Sequence, residues 1–212
     1  MSITLIIIII TAIISFLAFS NQELINKLIF YPPAISKQNE WYRFFSNGLI
    51  HADIGHLVFN MISLYMFGDL VENAFTQIFR DSGKLLYLAM YITALAVCLI
   101  PTYITHRNNY YYKSLGASGA VSAVVFAGIF LVPDQKIGLF FIPPIIPGFI
   151  FGPLYLVITA YLAKRGGGNI NHSAHLWGAL YGVAFLIVMS VALHTSFDPI
   201  DNFVQSIKSY LQ

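Results

Sequence analysis

The sequence predicts an all-α integral membrane protein, a bundle of six transmembrane helices, and three observations carry that prediction. Hydrophobic residues make up 58% of the 212 and charged residues only 9%, against about 25% charged in an ordinary soluble domain. The few charges separate six apolar intervals, most of them near the ~20 residues needed to cross ~30 Å of hydrocarbon. Three of these intervals hold spaced groups of polar and ionisable side chains, which inside a membrane are functional candidates by default. A chain of this length has room for one membrane domain, residues 1–212. The net charge of +2 is too small to point to nucleic acid. Cys98 is the lone cysteine, so no internal disulfide and no cysteine-based metal site is expected.

In chain order, residues 2–20 form a charge-free first span. They lack a basic leading region and a small-residue cleavage site, so no cleavable leader is expected, nor an Arg-rich import signal. Residues 21–50 form a mixed loop ending in Trp41-Tyr42-Arg43-Phe44-Phe45, a composition that favours the headgroup level. The second span, about 51–71, carries His51, Asp53, His56 and Asn60 and ends with Asp69 and Glu72. The third, about 85–105, fills the uncharged interval before Arg107. The fourth, about 116–132, lies within 20 uncharged residues between Lys113 and Asp134. Between Lys136 and Lys164 the prolines 143, 144, 147 and 153 break the start, leaving a short fifth span over about 149–163. Gly166-Gly167-Gly168 is a flexible link to the sixth, about 172–194. The tail from Thr195 is polar and compatible with a short surface helix.

Six spans put both termini on one side. Seven basic residues (Lys27, Lys37, Arg43, Arg107, Lys113, Lys164, Arg165) then face away from the termini, and four (Arg80, Lys84, Lys136, Lys208) lie on the terminal side. The charge rule assigns the richer side to the cytoplasm, which by count places the termini outside.

The chemistry converges on Ser114-Leu115-Gly116-Ala117-Ser118-Gly119-Ala120. Ser118 stands at the entrance of a hydrophobic helix, flanked by small residues that let another backbone approach. Alone, such a string equally fits helix packing, where small residues are common. Its company is more informative. His56 and Asn60 are four apart on one helical face, with His51 at the mouth of the same span. In the sixth span His175, Gly178 and Gly182 share a face, and the glycines permit a close neighbouring helix. If that neighbour carries Ser118, His175 is the base its weakly nucleophilic hydroxyl needs. The Asn60 amide, the His56 imidazole and the Ser118 N–H can supply oxyanion donors. No acid is clearly placed behind His175, so a Ser–His dyad is read rather than a triad; Asp53 is the nearest alternative orienter. Asparagine is a poor metal ligand and HxxxxH is not a metalloprotease spacing, so neither metal nor other cofactor is expected. Interhelical hydrogen bonding remains the plainer role for His56 with Asn60.

Together these motifs resemble the rhomboid intramembrane serine proteases. His51-Ala-Asp-Ile-Gly-His56-Leu-Val-Phe-Asn60 is similar to that family's HxxxxHxxxN span. Gly116-Ala-Ser118-Gly119 is similar to its GxSG, and Ala174-His175-Leu-Trp-Gly178-Ala-Leu-Tyr-Gly182 to its AHxxGxxxG. They occur in family order, on spans two, four and six. The resemblance implies Ser118 as nucleophile and His175 as general base. It implies an oxyanion hole of His56, Asn60 and the Ser118 N–H, with His51 as a polar neighbour that helps retain water, and structural roles for Arg43 and Glu72. It also implies cytoplasmic termini, against the charge count; the family orientation is preferred because no basic residue precedes Lys27. Two positions depart from the pattern. Tyr42 stands where Trp often precedes the loop arginine, with Trp41 displaced by one, and Ser122 stands where some members stack Tyr on the histidine.

The expected function is an endopeptidase acting on transmembrane protein substrates within the lipid bilayer, by the compact six-span form in a bacterial inner membrane. The alternative is a catalytically weak or inactive relative that binds membrane clients. A small channel or transporter using His56 and His175 as proton sites is a third reading, but it leaves the serine motif unused.

Overall fold

With few charges to interrupt them, the apolar intervals fold as helices. The structure is a computed structural model, which describes residues 2–139, 142–166, 168 and 170–212. α1 (Ile3–Phe19) leads into three short helices, α2 (Gln22–Leu28), α3 (Pro32–Gln38) and α4 (Arg43–Ser46), the last prolonged by a 3₁₀ turn to Leu49. α5 (Ile54–Phe79), α6 (Gly83–Val97) and α7 (Ile100–His106) follow, then α8 (Ser118–Leu131). An antiparallel hairpin, β1 (Lys136–Leu139) with β2 (Ile142–Pro147), precedes α9 (Gly148–Arg165), α10 (His172–Ala192) and α11 (Pro199–Leu211).

α8 is the axis. Eleven of its 14 residues are buried, and it packs on α10, α5, α6, α9 and α11. A helix apolar on every side has no face to offer water, so it takes the centre. The closest approach is to α10. A β-carbon at Gly178 would collide with Gly119 O, and one at Gly182 with Ala123 O. Only glycine at those two positions lets the backbones meet.

α1 is fastened to α5 by Glu72. Its carboxylate accepts the N–H groups of Ile3 and Thr4 at 2.9 Å each and the Thr4 hydroxyl at 3.0 Å. Those are first-turn donors with no partner inside their own helix, at the end where negative charge is favoured. Outward, α1, α5, α9 and α10 expose large apolar side chains, among them Ile13, Phe16, Tyr65, Met66, Val157 and Val188. The helical stretch Ile54–His106 and the helix His172–Ala192 are long and apolar enough to cross a membrane, and Ile3–Phe19 and Ser118–Leu131 are shorter apolar helices. The chain is a membrane protein.

Several expectations are corrected. The chain is mostly helical rather than all-α: residues around Pro143, Pro144 and Pro147 pair as a hairpin, with Ile137 opposite Ile146. Proline lacks the N–H a helix needs but is tolerated in a short edge strand. The helix expected over 51–71 starts at Ile54, because the Asp53 carboxylate caps it by accepting His56 N–H at 2.8 Å. It runs on to Phe79, since the Glu72 carboxylate caps α1 rather than ending its own helix. The interval 85–105 is two helices broken around Cys98 and Leu99, ahead of Pro101. Pro153 sits inside α9, which reaches Arg165. In the glycine link, Gly166 and Gly168 adopt positive φ; Gly167 lies outside the described residues.

Candidate active site

Ser118 is the first residue of α8, so its N–H has no acceptor within the helix. The turn delivering it depends on Gly116, whose φ of 116° is closed to most side chains. Its N–H donates to Asn47 O at 3.0 Å. A β-carbon there would stand 2.6 Å from His56 Cε1, so the turn lies directly against the His56 ring.

His175 sits in the second half of the first turn of α10. Its Nε2 is 2.6 Å from Ser118 Oγ. This pairing follows from the Gly178–Gly119 contact, which brings the two helix starts together on one level. The start of α10 is itself anchored by Asn171, whose Oδ1 accepts Ala174 N–H at 3.1 Å and the Thr102 hydroxyl at 3.2 Å. Asn171 thereby ties α10 to α7. An Asn just before an apolar run is an N-cap signal, yet its second bond to Thr102 has no signature in the sequence.

His51 and His56 meet edge to face, ring centroids 5.0 Å apart. His51 is fully buried, with Nδ1 2.9 Å from the hydroxyl of Ser15 on α1. Asn60 lies one turn beyond His56 and is buried; its Nδ2 donates to His56 O at 3.0 Å. One amide proton is thus spent holding the side chain, and the other is free of that bond. Gly119 packs beneath the serine against Cys98, where a β-carbon would meet Sγ at 2.5 Å.

Arg43 and Glu72 are not at the site. Arg43 knits the loop, donating to Asn26 O and Ile29 O and pairing with Glu40 at 2.5 Å. Glu72 lies 16 residues along α5 from His56, about 24 Å at the helical rise. Trp41 stacks on Phe44 with ring planes 9° apart, while Tyr42 donates to Lys27 O. Ser122 is buried in α8. The aromatic-ring neighbour of His175 is His172, edge to face at 6.1 Å.

Two residues that hold the site had no place in the sequence reading, Ser15 and Asn47. Ser15 is one of three hydroxyls (with Thr4 and Thr11) on the buried face of α1, a periodicity hidden by a run of isoleucines. Asn47 donates to Arg43 O and Phe44 O while its own carbonyl holds Gly116.

A central helix opened by a serine, a glycine-faced partner helix bearing its histidine, and an apolar exterior define a helical membrane protein with a paired Ser–His site. Residues 38–192 match the model of the Rhomboid domain. The chain is 32% identical over 159 residues to the RHOMBOID-like protein 12, mitochondrial, of Arabidopsis thaliana, covering 68% of this chain and 45% of that one. To the putative rhomboid protease YdcA of Bacillus subtilis (strain 168) it is 31% identical over 153 residues, covering 70% and 68%. To the human presenilin-associated rhomboid-like protein, mitochondrial, it is 27% identical over 143 residues, covering 64% and 35%. The chain thus spans between about a third and two thirds of the length of these curated relatives. It belongs to the rhomboid family.

Proposed function

We propose that this chain is an intramembrane serine endopeptidase that hydrolyses peptide bonds in or near transmembrane segments of membrane proteins. The observation that carries the reading is the 2.6 Å approach of His175 Nε2 to Ser118 Oγ, hydrogen-bond reach for a base and its nucleophile. His175 takes the hydroxyl proton as Ser118 Oγ attacks the scissile carbonyl. The protonated imidazole then gives that proton to the leaving amine, and water hydrolyses the acyl-enzyme by the reverse exchange. The oxyanion is held by the Ser118 N–H, the free amide proton of Asn60 and the His56 imidazole. Gly116 and Gly119 let the serine turn pack against His56 and Cys98, and Arg43 and Glu72 are structural. The reading takes residues 1–212 as one rhomboid membrane domain with six spans: α1, α5, α6 with α7, α8, α9 and α10. Both termini are cytoplasmic in a bacterial inner membrane, and the partners are transmembrane substrates and the surrounding lipid.

The test is covalent labelling of the purified protein by a fluorophosphonate, with cleavage of a single-span substrate measured in parallel. Labelling and cleavage are expected in the native chain and neither in Ser118→Ala. A native chain that binds the substrate but neither labels nor cuts it would favour the non-cutting, client-binding alternative.

A further inference from the structure

We propose that Ser15, on α1, is a positioning residue that sets the proton positions of both histidines beside the serine turn; the proposal rests on the reading of His56 as an oxyanion donor. Ser15 Oγ lies 2.9 Å from Leu49 O and 2.9 Å from His51 Nδ1. A serine hydroxyl has one proton, and a carbonyl oxygen can only accept. For both bonds to form, Ser15 donates to Leu49 O and accepts from His51. Neutral His51 must therefore carry its proton on Nδ1, leaving Nε2 as a bare acceptor.

That acceptor is buried in a residue only 1% exposed, and it has no hydrogen-bond partner among the described residues. Buried polar atoms are rarely left unpaired. His51 is packed edge to face on His56, whose Cε1–Nε2 edge lies on Gly116 of the serine turn. We assign the acceptor to one buried water, which donates one proton to His51 Nε2 and the other to His56 Nδ1. A water in such a site is structural when it has two or more polar partners. Because His56 Nδ1 then accepts, its proton must sit on Nε2, the nitrogen beside the serine turn, where it can donate to an oxyanion. The direct alternative, a His56 N–H given straight to His51, would leave neutral His56 with a lone pair facing the turn and nothing to donate. Ser15, with no contact to substrate, thereby presents the donor through two fixed tautomers.

The experiment uses the full chain carrying ring-¹⁵N histidine, with the His51 and His56 signals assigned by difference against His51→Gln and His56→Gln. Neutral His51 is expected with its proton on Nδ1 and His56 with its proton on Nε2. In Ser15→Ala, His51 should shift to the Nε2–H form, and Ser15→Thr should keep the native pattern. His51 protonated on Nε2 in the native chain, or an unchanged spectrum in Ser15→Ala, would overturn the assignment. This arm needs no catalysis, so it is decided even if the chain proves inactive. In the kinetic arm Ser15→Ala should lower kcat about tenfold with KM unchanged, less than the 10²–10³ lost when an oxyanion donor is removed, and Ser15→Thr should restore it. Equal kcat in Ser15→Ala, with Ser118→Ala inactive, would refute the catalytic consequence while leaving the serine mechanism standing.

Discussion

At the scale of single residues the site depends on small atoms as much as on reactive ones. Gly178 carries no chemistry, yet its absent β-carbon is what allows Gly119 O to sit against α10. Gly178→Ala should force α8 and α10 apart, costing about 1–3 kcal/mol for an overpacked core. The Ser118–His175 bond should lengthen with it. Cleavage should therefore fall more steeply than thermal stability, checked by comparing initial rates with the unfolding midpoint. Proportional losses would mean that the pair tolerates the shift. Among the polar groups, the proposed mechanism requires Ser118→Ala and His175→Ala each to abolish cleavage, since a nucleophile and its base act as one unit. Asn60→Ala should leave a remnant, reduced on the order of 10²-fold or more. Cys98→Ser should cut at nearly the native rate. The thiol makes only a weak 3.6 Å bond to Leu95 O, which a hydroxyl can replace without crowding Gly119. His56, Asn60, Ser118 and His175 stood out as candidates because polar and ionisable side chains in a membrane have few other reasons to be there. Ser15 was not: a serine facing inward from an apolar helix looks like any packing serine until the partners across from it are known.

At the scale of elements, caps decide where helices begin and what holds them. The N-terminus of α1 is closed by a carboxylate 68 positions away in sequence, Glu72 to Thr4, a link that no local rule predicts. Glu72→Ala should strand buried N–H groups at about 1–3 kcal/mol each, lowering the thermal midpoint. At low temperature the rate of cleavage should hold, since Ser118 is far along the bundle. Loss of activity in a variant that remains folded would show that α1 transmits to the site. α11 closes the other end of α8: Asn202 Nδ2 donates to Leu131 O at 2.9 Å, and Phe203 stacks on Phe130 at 4.6 Å. The Asn202 amide supplies a donor at a helix C-terminus, where the last carbonyls have no N–H partner within their own helix. The hairpin before α9 escaped the sequence reading for a related reason. Its prolines ruled out a helix, but strand pairing depends on Lys136–Leu139 lying opposite them.

At the scale of the whole molecule, orientation and substrate choice are the testable consequences. With α1 and α11 at one end, reporters fused after Gln212 should read cytoplasmic and reporters within Arg107–Lys113 external. The reverse result would vindicate the lysine and arginine count. Substrate selection follows from where Ser118 lies, at the start of its helix. A peptide bond inside a regular helix has its carbonyl bonded and wrapped by side chains, so it must unwind before attack. Freed backbone groups are tolerated at membrane depth only where protein or water lines a cavity. Cleavage is therefore expected near the outer end of a client helix, with small residues around the bond and Gly or Pro just below it. Single-span substrates differing only there should be cut much more slowly when those residues become Leu. Equal rates at matched insertion would show that unwinding is not what is selected.

Membrane residence was readable from one dimension, because hydrophobic length is a property of short segments. The family followed from three motifs in order. What the tertiary structure alone decided is contact between segments: that Glu72 caps α1, that Asn171 ties α10 to α7 through Thr102, and that Ser15 reaches His51. Hydrogen bonds are directional and short, so their partners depend on packing to within a fraction of an ångström, which spacing along a chain does not encode. Even the Ser118–His175 pair, anticipated from its residues, exists as a bond only because Gly178 and Gly182 let two backbones touch.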